Sequence, residues 1–373
     1  MNKRIKWIGG LVIILVVIIL IASQQSGQTN ITGPIKIGAI LPLTGDYAVL
    51  GQEIQKGIDI AVDEVNSQGG INNRKMEIIY EDGGMADFPK ITSAAHKLID
   101  VDKVYTVLVD SLTTMKPIAP LFQQNKIPAI MIFDNAELGS YIFSIGFSTQ
   151  KTGEKMADFV YSKKNIKEVA IVAQLDEVMQ TLSKAFKDKF EKLGGKVTIL
   201  ENINPSENDF KTTITKIKNS KPQGIYFSFV QGIDLFLKQI KEQKLNLPIF
   251  GNDAVTEDVI AAAGSAAEGV YFANFYTNDN PILKSLTEKY KEKYNEEPQL
   301  LLFNAFGYDG VLVLKEAIKN IKIVSPQNIT ESLYKIKNLD TSSGETISIS
   351  PVGTVERTEK IFQIQNGKGI SAE

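Results

Sequence analysis

"IKIGAILPLTGDYAVLGQEIQKGIDIAVDEVNSQGGINNRKMEIIYED", residues 35–82, contains a strand, a turn, a helix and a second strand in that order. Residues 35–41 are a largely apolar run between Pro34 and Pro42, as expected of a strand buried on both faces. Residues 51–66 place Ile54, Ile58, Ala61, Val62 and Val65 on one helical face, and Gly69-Gly70 ends that helix. Residues 76–80 are the second strand.

The same alternation continues. Asp87 is a candidate cap for a helix whose face is Ile91, Ala94, Ala95, Leu98 and Ile99. A strand at 104–109, a helix at 115–124 and a strand at 127–133 follow. A second series begins with a helix at 150–164. Strands at 169–173, 197–200, 224–230, 248–250 and 270–275 are interleaved with helices at 177–193, 208–219 and 232–243. The helix at 177–193 carries Val178, Leu182, Phe186 and Phe190 at a spacing of four. Helices at 282–294 and 301–319 come next, then strands at 345–350 and 360–365. Repeated β-α alternation of this length implies an α/β fold with doubly wound parallel sheets. One sheet holding all these strands would be unusually wide, so two lobes are expected. Ligands in such sheets sit beyond the carboxyl ends of the strands.

Composition narrows the chemistry. The chain has 373 residues, no Cys, and one His. Disulfides, thiolate metal sites, Cys nucleophiles and sites needing two imidazoles are excluded, and no metal or cofactor is expected. No Walker A or G-x-G-x-x-G motif is present. Lys3, Arg4 and Lys6 precede an uncharged, mostly apolar run from Trp7 to Ala22. Residues 1–23 are therefore an export signal or an N-terminal membrane anchor, and 24–33 a polar linker. The positive end stays inside, so the body is expected outside the cytoplasm, as a monomer, in the periplasm or at the cell surface. Beyond residue 27 there are 38 basic against 43 acidic residues, a balance that disfavours nucleic acid.

The opening stretch resembles that of the Leu/Ile/Val-binding type of solute-binding protein for ABC importers. "FPKITSAAHKLI" (88–99), "FGNDAV" (250–255), "AAEGVYF" (266–272) and "NAFGYDGVLVLKEAI" (304–318) extend the resemblance in the family's order, over roughly 35–370. It implies a type I periplasmic-binding fold: two α/β lobes joined by three crossovers, closing on a ligand. One lobe would be 34–147 plus 277–345, the other 148–276 plus 346–373. It further implies a small-molecule ligand, an ABC permease as partner, and no catalysis.

Site residues follow from the same resemblance. Ser111, Leu112, Thr113 and Thr114 match the loop that takes a ligand carboxylate. Asp134 and Asn135 match a second loop, which the family usually makes longer and without the acid. Asp253 matches the acid that takes the ammonium, while Tyr47 and Leu50 match the turn that packs the ligand's side chain. Phe229 ends a strand near the cleft. "DEVMQ" (176–180) lacks the aromatic common in the family at that loop. Both departures set the chain apart from a plain Leu/Ile/Val binder.

Each of these residues also has an ordinary reading. Ser111, Thr113 and Thr114 would cap a helix, Asp253 would do the same after a short strand, and Asp134 would serve a turn. "IYFSF" (225–229) reads equally as buried strand, His96 as a surface or structural residue, and "KYKEKYNEE" (289–297) as a solvated face. Two other functions compete with solute delivery: a ligand-sensing ectodomain acting through a partner receptor, and an enzyme on the same scaffold, for which no motif speaks.

Overall fold

The computed structural model describes residues 33–84, 86–274, 280–342, 346–357 and 359–373. The signal or anchor at 1–23 and all but the last residue of the linker lie outside these. Ile35–Glu373 forms one compact unit.

The first sheet takes β1 (Ile35–Leu41), β2 (Met76–Asp82), β3 (Thr106–Val109), β4 (Ala129–Met131) and β5 (Ile142–Ser144) in the order β2-β1-β3-β4-β5, all parallel. The second is built from β6 (Glu168–Gln174), β7 (Lys196–Ile203), β8 (Gly224–Ser228), β9 (Ile249–Gly251) and β10 (Tyr271–Asn274). Its parallel part runs β7-β6-β8-β9-β10, the same winding as the first sheet. β13 (Lys360–Gln365) and β14 (Lys368–Ser371) extend it with antiparallel pairs. A ribbon of β11 (Leu339–Asp340) and β12 (Thr346–Ile347) stands apart.

Both faces of each sheet are covered, which is why their strands read as apolar runs. Ile35, Ile37, Ala39 and Leu41 enter one core while Ile40 enters the core on the opposite face. Likewise Ala170 and Val172 face one way, and Val169, Ile171 and Ala173 the other. The chain passes between the sheets three times: after β5, after β10 and before β13.

Helix Ala48–Ser67 starts three residues earlier than its apolar face suggested, and helix Leu112–Asn125 starts before Met115 and runs through Pro117 and Pro120. Two short helices, Glu257–Ala263 and Pro326–Leu333, lack a long enough period to be read beforehand. Asp87 does cap its helix, accepting from the Lys90 N–H. Three expectations need correction. Val178 is 52% exposed in the first turn of helix Glu177–Lys192, and Met179 is the buried residue there. Tyr290, inside the supposed solvated run, is fully buried in the first lobe's core. The tail from 346 does not go straight to the second sheet: Ile347, Ile349 and Val355 pack in the first core, and the chain joins the second sheet only at Lys360. Alternating Ile residues fit either sheet, so their pattern does not choose between them.

Candidate functional site

In each sheet the winding reverses beside its first strand, between β1 and β3 and between β6 and β8. Such a reversal leaves a crevice at the carboxyl ends of the strands. The loops at 42–47, 110–111 and 132–135 end the first sheet, and those at 175–176, 229–232 and 252–256 end the second.

The turn after β1 is held by Asp82, at the end of β2. Its carboxylate accepts from the N–H groups of Leu43 (3.0 Å) and Gly84 (3.0 Å), from Thr44 Oγ1 (2.5 Å) and from Lys90 Nζ (2.6 Å). Burial alone would raise this carboxyl. The bonds from Lys90, Thr44, Gly84 and Leu43 outweigh it and hold Asp82 well below the ordinary 3.8. Tyr47 stands on this turn, about half exposed, whereas Leu50 packs partly against the first core.

At the end of β3, Ser111 precedes helix Leu112–Asn125 without capping it. Its hydroxyl donates to Asp110 Oδ2 (3.0 Å) and lies 3.4 Å from Thr114 Oγ1. The cap comes instead from Asp134, whose Oδ2 accepts from the Leu112 N–H at 2.6 Å. One of the backbone donors expected to meet a ligand's carboxylate, the Leu112 N–H, thus already holds a carboxylate of this chain. Burial pushes Asp134 up and the Leu112 bond opposes it. Asn135 is turned away from the expected role, its Nδ2 donating to the Val355 carbonyl at 2.5 Å. Thr113 is exposed and Thr114 buried.

Asp110 was not among the expected site residues. It is 1% exposed, and its Oδ1 has no hydrogen-bond partner. Burial pushes its carboxyl up to about 6; the Thr114 and Ser111 bonds oppose this, and the charge of Asp134 adds to it. The signal in the sequence is an acid closing the short apolar strand "TVLV".

On the second sheet, Asp176 accepts from the Met179 N–H (2.9 Å) and from Gln174 Nε2 (2.6 Å). Gln174 Oε1 accepts in turn from the Val230 N–H (3.2 Å), so the loops after β6 and β8 are joined. Leu175, Val178 and Val230 remain exposed on this wall. Phe229 is not a ligand-facing ring. It is fully buried, 5.7 Å from the Phe210 ring and 5.3 Å from that of Phe236. Side chains alternate along an extended chain, so Phe227 and Phe229 share the core face and Val230 takes the outside.

The β9 loop carries Asn252 and Asp253. Asp253 does not cap the helix that follows, since Thr256 does so by accepting from the Val259 N–H. Burial pushes the Asp253 carboxyl up to about 6, against its own N–H and Asn252. Asn252 is 1% exposed, and its Oδ1 has no partner. Among the described residues, Asp110, Asp134 and Asp253 make no ion pair at all, and no group of three or more His, Asp or Glu side chains is placed to hold a metal ion. His96 lies at the surface, 3.1 Å from Asp100.

Residues 34–369 match a family model described as periplasmic binding protein. The chain belongs to the periplasmic binding protein family. Within this family of solute-binding proteins it is 26% identical to Leu/Ile/Val-binding protein homolog 3 of Brucella melitensis, over 91% of this chain and 94% of that one. It is 25% identical to a leucine-, isoleucine-, valine-, threonine- and alanine-binding protein of Pseudomonas aeruginosa, over 83% and 84%. The crystal structure of a leucine-binding protein from Thermotoga maritima superposes with a TM-score of 0.72 at 26% identity, covering 91% of this periplasmic binding protein and 98% of the other. The two-lobed α/β architecture is the one these relatives imply.

Proposed function

We propose that this protein captures an amino acid or related small polar solute outside the cytoplasm and delivers it to an ABC importer by closing its two lobes. The observation that carries this is the pair of sheets with one winding order, each reversing beside its first strand, where ligands of such sheets sit. A solute touching both sets of loops favours the closed state, because only that state makes both sets of contacts. The names of the relatives support the amino-acid class, and the basic and apolar run of residues 3–22 supports export or anchoring. In this reading one lobe is built on 34–147 with the helices after 280, and the other on 148–276 with the chain from 360. Asp253 meets the cationic end of the solute, and Tyr47 and the exposed valines meet its apolar part.

The test is small-angle scattering of the protein freed of ligand, with and without a saturating solute identified by mass spectrometry of the purified protein. A smaller radius of gyration with solute is expected. An unchanged radius while calorimetry shows saturation overturns closure.

A further inference from the structure

Resting on the reading of the cleft as a solute site, we infer that it selects an organic cation without a free carboxylate, such as an amino-acid amide or a primary amine, over the amino acid itself. A ligand carboxylate needs donors at the first lobe. Of the N–H groups that open helix Leu112–Asn125, that of Leu112 is engaged by Asp134 Oδ2 at 2.6 Å, which sets a carboxylate beside those of Thr113 and Thr114, and the Ser111 hydroxyl is engaged by Asp110. These loops also hold buried acceptors. Asp110 Oδ1 on one lobe and Asn252 Oδ1 on the other are buried with no hydrogen-bond partner, and Asp253 adjoins Asn252 without a cation. Lys90, which reaches the turn after β1 at Thr44, is already bound to Asp82.

Buried acceptors left unpaired are costly and are met by donors. An ammonium supplies three donors and a neutral amide two more, whereas a carboxylate would bring a further acceptor against Asp110 and Asp134. Leu175, Val178 and Val230, exposed at the loops after β6 and β8, would meet a branched aliphatic body. A solute with that body, an ammonium and no negative charge satisfies both walls.

Four probes of similar body separate the possibilities: L-leucine, L-leucinamide, isoamylamine and isovalerate. Calorimetry on the ligand-free protein at pH 7.5 should show leucinamide tighter than leucine by about tenfold or more. The amine should bind and isovalerate should not. Asp134→Ala, checked for folding by circular dichroism, should narrow or reverse the preference by freeing the Leu112 N–H. Leucine or isovalerate binding at least as tightly as leucinamide in the unmodified protein overturns the inference, as does failure of both leucinamide and the amine to bind. Scattering on the same samples keeps the two readings apart: compaction by leucine but not leucinamide removes this selectivity and leaves solute capture standing.

Discussion

Asp253 combines three properties seldom found together at an incidental position: it follows a buried strand, it caps nothing, and it has no cationic partner among the described residues. In the proposed function, the cationic end of the solute supplies that partner. Asp253→Ala should weaken binding of a cationic solute by about 30-fold or more, since an unpaired buried charge costs about 2–5 kcal/mol. Calorimetry tests this, and unchanged affinity would remove the residue from the site. The direction with pH follows from its raised carboxyl, near 6. Below that value the group is protonated and loses its attraction, so affinity should fall as pH drops from about 7 to 5, and the Asp253→Ala variant should show a flatter profile. Stability of the unliganded protein runs the opposite way. The folded state holds this proton above the ordinary 3.8, so raising the pH from about 4 to 6 removes stability, which Asp253→Asn restores.

At the level of elements, helices Ala48–Ser67 and Leu301–Ile318 cross so closely that backbone meets backbone. A Cβ on Gly57 would stand 1.9 Å from the Asn304 carbonyl oxygen, and one on Gly307 would stand 2.2 Å from that of Ile54. The two motifs "KGID" and "NAFG" therefore depend on each other. The crossing anchors helix Ala48–Ser67, which the chain enters from Tyr47, the residue proposed to meet a solute's apolar part. Gly57→Ala should lower stability by about 1–3 kcal/mol through overpacking, measured by urea unfolding, and should weaken solute binding as the helix shifts. A neutral Gly57→Ala would mean that the helices separate without penalty. Gly33, which a Cβ meets nowhere, serves as the control substitution.

Across the whole molecule, Arg357 ties distant parts of the chain together. Its Nη2 pairs with Asp309 Oδ2 at 2.7 Å, both side chains about 1% exposed, and its Nη1 donates to the Ile145 carbonyl at 3.0 Å. Asp309 also accepts from the Ser342 N–H, and the Ser342 hydroxyl donates to the Ala305 carbonyl. The chain leaving β5 and the chain approaching β13 are thereby both fastened to helix Leu301–Ile318. Removing one member of a buried pair leaves the other charged and unsolvated. Arg357→Ala should cost about 3–5 kcal/mol in urea unfolding, with Asp309→Ala adding little to it in the double variant. Fully additive losses would show that the two residues are not coupled.

The two-sheet α/β plan was legible in the sequence because it rests on local periodicity. Short apolar runs rich in β-branched residues, such as 35–41 and 169–173, fit strands covered on both faces, and the helical stripe of Ile54, Ile58 and Val65 fits a helix facing a core. The relevant loops, 110–115 and 251–255, followed from the same pattern, since the carboxyl end of a parallel strand lies where its apolar run stops. Which groups in those loops stay free was a different matter. Ser111 looks like a cap, yet the Leu112 N–H is taken by Asp134, 22 residues later in the chain. Asn135 looks like a ligand residue, yet it serves Val355. Phe229 and Val230 are adjacent, and only the pleat decides which one is core. Spacing specifies contacts within one turn or one pleat. The partner of a polar group across two loops is set by register and by the close approach of elements far apart in the chain, so that assignment belongs to the tertiary structure.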